Sequence, residues 1–475
     1  MIGKVIGLVF IIGTFFPIAY LLIKRKGVNA DISGPQKEDW MFIGIFSIIS
    51  FLTFGYTDIY VTARNSCELI NCILQGRIQE FYLTESVYTL PTYIVYAIWN
   101  IPFYAFEKIV GAGILEDNIY YVIFNLWNKI LPYLFTLLFV EVTVKFAEDM
   151  ELSTEKRKWI KYLMLSSPIL IFSQLLFGQY DTFWLVFLMM AMRELLKNNK
   201  DKFALWIGVA ASFKVLPIII AIPLLLTAEK RITKLLRYGI EMCILPGLFE
   251  IIKMLAPKSE LTSSFMGSQI KGLFSTGFEH KFGTLSIFLM FYVLICIFLY
   301  TFNWKEMSKE KKYKMVLYVS ISIFSVMFAL MEWHPQWFLM FVPFVVISML
   351  VNENVTTQIY IDIVTIILLV IMSVIIGSNS DVNETMIQQG VLSLLKGNVT
   401  ENRLYDIYTL HGKMNVAMYH SCLSAVVLSQ IVIHFPKRLY LKKEHIDEVP
   451  KILLWGRTMS LYIFELPVLI LFFYV

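Results

Sequence analysis

Charge is what this sequence has least of. Only 16% of its 475 residues are Asp, Glu, Lys or Arg, against roughly 25% in soluble globular chains, which excludes a soluble surface of ordinary size. Polar stretches long enough for a separate globular domain are also missing, so 1–475 is read as one integral membrane domain. The five cysteines form no framework: Cys243, Cys296 and Cys422 lie in apolar runs. Cys67 and Cys72 stand five apart on one expected helix and point away from each other, which argues against a disulfide. No Cys/His cluster has metal-ligand spacing, the first loop carries no Asp-x-Asp or Glu-x-Asp pair, and neither a metal nor a cofactor is expected. The net charge of +5 comes from short Lys/Arg clusters. That is a topogenic pattern rather than a nucleic-acid face.

What the chain does have is apolar residues in blocks: 57% of the sequence is hydrophobic and the mean hydropathy is +0.67. About 18 consecutive apolar residues cross the hydrocarbon layer of a bilayer. Spans are expected at about 2–23, 39–56, 119–145, 158–177, 181–197, a hairpin over 203–227, then 235–255, 283–302, 313–332, 337–351, 359–377, 413–434 and 453–475. The fold class is therefore all-α, a polytopic transmembrane helix bundle of about 13–14 segments. It divides into two N-terminal spans (1–56), an outer loop (57–118), core spans (119–351) and C-terminal spans (352–475). The run from Val5 to Ile23 meets Lys24-Arg25-Lys26 with no small-residue cleavage site, and reads as a retained span.

With these spans, every basic cluster falls on one side: 24–26, 156–158, 197–202, 230–231, 309–312 and 437–443. The positive-inside rule makes that side cytoplasmic and puts both termini outside. The apolar segment Tyr88–Phe106 would break this parity if it crossed, so an interfacial helix is predicted there. A second surface helix is predicted from Asp58 to Gln75, ending at Gly76, with Ile59, Ala63, Ile70, Ile73 and Leu74 on one face.

Ionisable groups at membrane depth are expensive and mark candidate sites. Four groups qualify, all on the outer side. Asp58, with Arg64 nearby, is either a helix cap or a general base. Gln179-Tyr180-Asp181 occupies a tight turn in which Asp181 either caps the next span or serves a site. Lys214 lies near the tip of the 203–227 hairpin, where snorkelling is the alternative to function. Glu332, His334 and Gln336 sit between Trp333 and Trp337, which are either site walls or aromatic-belt anchors.

Taken in order, these residues resemble the polytopic GT-C-fold glycosyltransferases. Asp58…Leu74-Gln75-Gly76-Arg77 looks like their first outer loop, and Tyr88-Thr89-Leu90-Pro91-Thr92-Tyr93 like their proline-containing stretch before a juxtamembrane helix. Gly178-Gln179-Tyr180-Asp181, Gly208…Lys214 with Pro217, and His334-Pro335-Gln336-Trp337 are similar to motifs of the bacterial branch related to mannosyltransferases. The sequence departs from the family in an extra early span, a single proline at 91, and Gln336-Trp337 in place of Arg-Tyr; nothing past 353 matches.

The resemblance implies transfer of a hexose, with inversion, from a polyprenyl-phosphate donor to an extracytoplasmic glycan or lipid acceptor. Asp58 would be the catalytic base, Lys214, Arg64 and His334 would hold the donor phosphate, and Gln179, Tyr180, Asp181, Glu332 and Gln336 would bind substrate. The partners are then the donor, the acceptor and the bilayer, without nucleic acid. The rivals are a transporter or flippase of lipid-linked glycans, a lipid-linked glycan polymerase or ligase, and a membrane scaffold. A transporter predicts midplane ionisable residues and internal repeats. A polymerase or ligase predicts a large, Arg-rich outer loop, and the outer loops here are poor in Arg.

Overall fold

In a computed structural model the described residues are 34–84, 88–256, 271–331, 333–376, 385–395, 413, 415–436, 445–461 and 465–470. The expected first span, 2–23, lies outside them. Helices dominate: α1 (Lys37–Thr53), α2 (Thr57–Leu74), α3 (Leu90–Val110), α4 (Asn118–Asp149), α5 (Thr154–Leu165), α6 (Pro168–Ile171), α7 (Thr182–Leu196), α8 (Lys200–Phe213), α9 (Leu216–Ala228) and α10 (Ile232–Leu255). After them come a hairpin of β1 (Gly277–His280) and β2 (Gly283–Ser286), then α11 (Ile287–Tyr300), α12 (Lys309–Leu330), α13 (Val342–Val351), α14 (Val355–Ile376), α15 (Thr385–Gln388), α16 (Val416–Ile433) and α17 (Lys451–Met459).

Among the described residues, α4, α12, α14 and α16 are long and apolar enough to cross a bilayer. Two bent pairs raise the number to six if each is one span: α1 with α2, bent by 69°, and α5 with Pro168–Leu176, bent by 45°. α9, α11 and Pro335–Val351 are shorter apolar helices. Apolar side chains such as Ile240, Ile244 and Leu248 on α10 and Leu294, Ile297 and Phe298 on α11 point outward and stay exposed. Large apolar side chains exposed along a helix in this way fit a lipid-facing surface. The chain is a multi-pass helical membrane protein.

Local structure follows the sequence in most places. α2 stops at Gln75 and Gly76 takes φ +70°, as a glycine after a helix end does. The buried face of α2 is Ile59, Thr62, Ala63, Ser66, Cys67, Leu69 and Cys72. Ile73 and Leu74, expected on that face, are exposed. All five cysteines are free. α3 begins two residues after Tyr88 with Pro91 in its first turn, packs along α2, and is not one of the four long apolar helices. The expected span 283–302 starts later: residues 283–286 pair with 277–280, and α11 begins at Ile287 with Ser286 as its cap.

The bend between α5 and α6 frees backbone acceptors that hydrocarbon cannot satisfy. Arg457 of α17 supplies the donors: its Nη1 donates to Leu163 O at 2.9 Å and to Ser166 Oγ at 3.3 Å. Its Nε donates to Asp362 Oδ2 at 2.6 Å. Gln358 donates to Asp362 Oδ1 at 2.7 Å, and the His434 ring lies 2.9 Å from Gln358 Oε1. A buried polar chain thus fastens α14, α16 and α17 to the α5–α6 bend.

At the α9–α10 turn, the Glu229 carboxylate accepts from Lys200 Nζ at 3.1 Å and from Arg231 Nε at 3.0 Å and Nη2 at 3.2 Å. It also accepts from the backbone N–H groups of Lys230 and Arg231. The Arg231 side chain, foremost among these partners, holds the Glu229 carboxyl far below the usual carboxylate range. A depressed acid contributes stability above its unfolded pKa and loses it as pH falls through the folded value. Glu229→Gln is therefore expected to lower unfolding stability in detergent by about 2 kcal/mol at neutral pH. The gap to the parent should narrow only below about pH 4; a gap independent of pH would contradict this account.

Candidate functional site

Four breaks between helices meet where the sequence placed its candidates, the last of them the His334–Trp337 turn. The first is the break between α1 and α2 at Phe54-Gly55-Tyr56. Tyr56, not Asp58, holds the cap position of α2, and no side chain caps it. Asp58 sits in the first helical turn, where the helix dipole favours a carboxylate. It is half-buried, and its Oδ2 accepts from the Tyr88 hydroxyl at 3.2 Å.

The second turn follows α6. The chain widens into a π-helical turn, Phe172–Leu176, and reverses at Gly178 with φ +66°. A Cβ at Gly178 would meet Ile59 Cδ1 at 2.2 Å and Lys129 Cγ at 3.2 Å. Only glycine lets this turn rest on the first turn of α2. Asp181 does occupy the cap position of α7, yet its side chain makes no capping bond. Instead its Oδ1 accepts from Trp184 Nε1 at 2.7 Å and from Lys214 Nζ at 2.8 Å. Its Oδ2 is buried without a hydrogen-bond partner among the described residues.

Lys214 supplies the third part. It stands at the break between α8 and α9, where the sequence put a hairpin tip. Thr89, next to Tyr88, donates to Phe213 O at 3.0 Å and ties the start of α3 to that tip. The Lys214 ammonium also lies 4.0 Å from the centre of the Trp337 ring, a cation–π contact. The His334 ring is half-buried, 5.4 Å from the Trp337 ring. Gln336 is buried with its side-chain Oε1 unpartnered among the described residues, and its backbone carbonyl accepts from Ser173 at 3.1 Å.

These elements enclose a crevice lined by Tyr56, Asp58, Ile59, Gly178, Gln179 and Gln336, with Phe177 and Tyr180 completing its wall. Its empty space is about 170 Å³, with no room for a water-sized sphere. Gln179 Oε1 accepts from the Tyr180 backbone N–H at 3.0 Å, and the Tyr180 ring meets the edge of Tyr88 at 4.5 Å. Among the described residues no three His, Cys, Asp or Glu side chains gather into a metal-binding group.

The site thus brings together Asp58, Gln179, Tyr180 and Gln336 at the crevice, with Asp181, Lys214 and Trp337 in contact beside it. No family model, curated protein or solved structure matches this chain.

Arg64 is not brought to the group. Six residues at about 100° each turn it to another side of α2 from Asp58. There it pairs with Glu107 of α3 at 2.5 Å and lies over the Phe124 ring. Tyr120 of α4 donates to the same Glu107, so Arg64 locks α2, α3 and α4 together. Glu332 lies outside the described residues.

Sequence reasoning missed Tyr88, Trp184 and Lys129. Lys129 carried the clearest signal, an ionisable residue midway along an apolar run. It is fully buried and donates to the carbonyls of Phe51 at 2.6 Å, Phe54 at 2.5 Å and Leu175 at 2.7 Å.

Removing one partner of a buried ion pair costs about 3–5 kcal/mol, because the other charge is stranded. Lys214→Met alone should therefore destabilise the folded protein in detergent by about 3 kcal/mol. Adding Asp181→Asn should recover most of that loss; a double variant no more stable than Lys214→Met would contradict the pairing.

Proposed function

We propose that this protein is a membrane glycosyltransferase of the GT-C type. It would move a hexose from a polyprenyl-phosphate donor to an extracytoplasmic lipid or cell-envelope glycan acceptor, with inversion at the anomeric carbon. The observation that supports this most is the convergence of Asp58, the Gly178–Asp181 turn and Gln336 around one crevice, from positions far apart in the chain. In this reading the crevice opens to the side opposite the basic clusters, and the short and bent apolar helices count among 13–14 membrane segments. α2 and α3 lie at the outer interface, where a lipid substrate enters sideways from the leaflet.

The chemistry follows from the residues. The acceptor oxygen attacks the anomeric carbon while Asp58 takes its proton, and the Tyr88 hydroxyl orients that carboxylate. The bond from the anomeric carbon to the phosphate oxygen breaks, and the polyprenyl phosphate departs with the electron pair. Lys214, fixed by Asp181 and Trp337, and His334, whose ring lies 5.4 Å from that of Trp337, offset the charge gathering on the phosphate. Gln179, Tyr180 and Gln336 face the sugar hydroxyls. Arg64, committed to Glu107, takes no part in phosphate binding here, and Glu332 is given no role.

A transporter or flippase of lipid-linked glycans is the second reading. It is favoured by ionisable groups buried among the apolar helices: the Arg457–Asp362 pair, and Glu465, whose Oε1 accepts from Ser50 at 2.9 Å. The two readings separate on product. Purified protein with a polyprenyl-phosphate hexose should yield transferred sugar and free polyprenyl phosphate by mass spectrometry. Asp58→Asn should lower the rate by about 10³-fold, and Tyr88→Phe by about tenfold for one lost orienting hydrogen bond. A well-folded Asp58→Asn protein with unchanged transfer would end the catalytic assignment. Movement of the donor across vesicles without sugar transfer would favour the transporter.

A further inference from the structure

Between α14 and α16 the segment 385–395 touches the turn before Asp58. α15 and the short helical turn Val391–Leu395 bury Met386, Ile387 and Leu392. The Gly55 N–H donates to Met386 O at 2.8 Å, a backbone bond between the α1–α2 break and a residue more than three hundred positions away. The approach is as close as backbone allows. A Cβ at Gly390 would stand 2.1 Å from Thr53 O, and one at Gly55 would stand 2.6 Å from Gln389 Cβ. Gln389 then reaches α4: its Oε1 accepts from the Tyr121 hydroxyl, and from Asn125 Nδ2 at 3.1 Å. Tyr121 in turn packs on Tyr60, two residues beyond Asp58, with ring centres 4.7 Å apart.

We infer that Gln389, with the 385–395 segment around it, is a positioning element for Asp58. It grips the α1–α2 break on one side and α4 on the other, and so sets where the first turn of α2 points into the crevice. Its catalytic meaning rests on the reading of Asp58 as the base. The contacts themselves do not.

The test uses the full chain in detergent or nanodiscs, with a polyprenyl-phosphate hexose as donor. Gln389→Leu removes both acceptor contacts, Gln389→Glu keeps an acceptor in place, and Gly390→Val forces the segment off Thr53. Gln389→Leu and Gly390→Val should lower kcat about tenfold, equivalent to one well-placed contact, with the donor KM unchanged. Gln389→Glu should restore kcat. Hydrogen exchange followed by mass spectrometry should show faster exchange in a peptide covering residues 54–60 for Leu and Val but not for Glu. Unchanged exchange in that peptide would overturn the inference, as would a loss that Glu fails to restore. If the parent protein transfers no sugar, the glycosyltransferase reading falls, while the exchange result still decides the clamp.

Discussion

A carbonyl buried away from water must find a donor within the protein, and between two helix breaks of this bundle the donor is one ammonium. Breaking a helix in a dry interior frees carbonyls that no water can reach. Two such breaks lie side by side here, at the end of α1 and in the π-helical turn after α6. Lys129 projects from α4 between them, caps Phe51, Phe54 and Leu175, and rests on the Phe51 ring at 4.5 Å. The turn leading to Asp58 and the turn leading to Gln179–Asp181 therefore share an anchor. The spacing of the two halves of the candidate site is set by that shared cation, and Gly178 supplies the clearance for their contact.

Where helices form was largely legible, because apolar runs, the glycine at 76 and the break at Lys214 are local signals. The helix expected from Asp58 to Gln75 is found at Thr57–Leu74, and Lys214 stands at a break between helices. Partnership was not legible. Asp181 stands where a capping residue stands, and only the fold reveals that its carboxylate turns away to Trp184 and to a lysine thirty-three positions later. Arg64 was grouped with Asp58 by nearness in sequence, but helical rotation separates them and delivers Arg64 to Glu107. Tyr88 and Gln389 carry no local pattern that marks them; both matter through contacts made across long stretches of chain.

The C-terminal helices, which resemble nothing nameable in sequence, gain a physical role from the same rule about unsatisfied carbonyls. Arg457 treats the α5–α6 bend as Lys129 treats the neighbouring breaks, and Asp362 balances its charge. The far end of the chain therefore braces the helix that leads into the Gly178–Asp181 turn. The side chains of this buttress, Gln358, Asp362, His434 and Arg457, all come from beyond Gln336, the last residue of the crevice in the sequence.

The crevice around Asp58 has no room for a water molecule, and that tightness bears on what a lipid-linked sugar would encounter. A reactive donor is as vulnerable to hydrolysis as it is useful for transfer. If a lipid-linked sugar is the substrate, as proposed, the ligand itself has to part the walls of this crevice on entering. The work of parting the Tyr88–Asp58 and Tyr88–Tyr180 contacts would come from the bound chain, so long substrates would be selected by the act of entry as well as by the fit that follows.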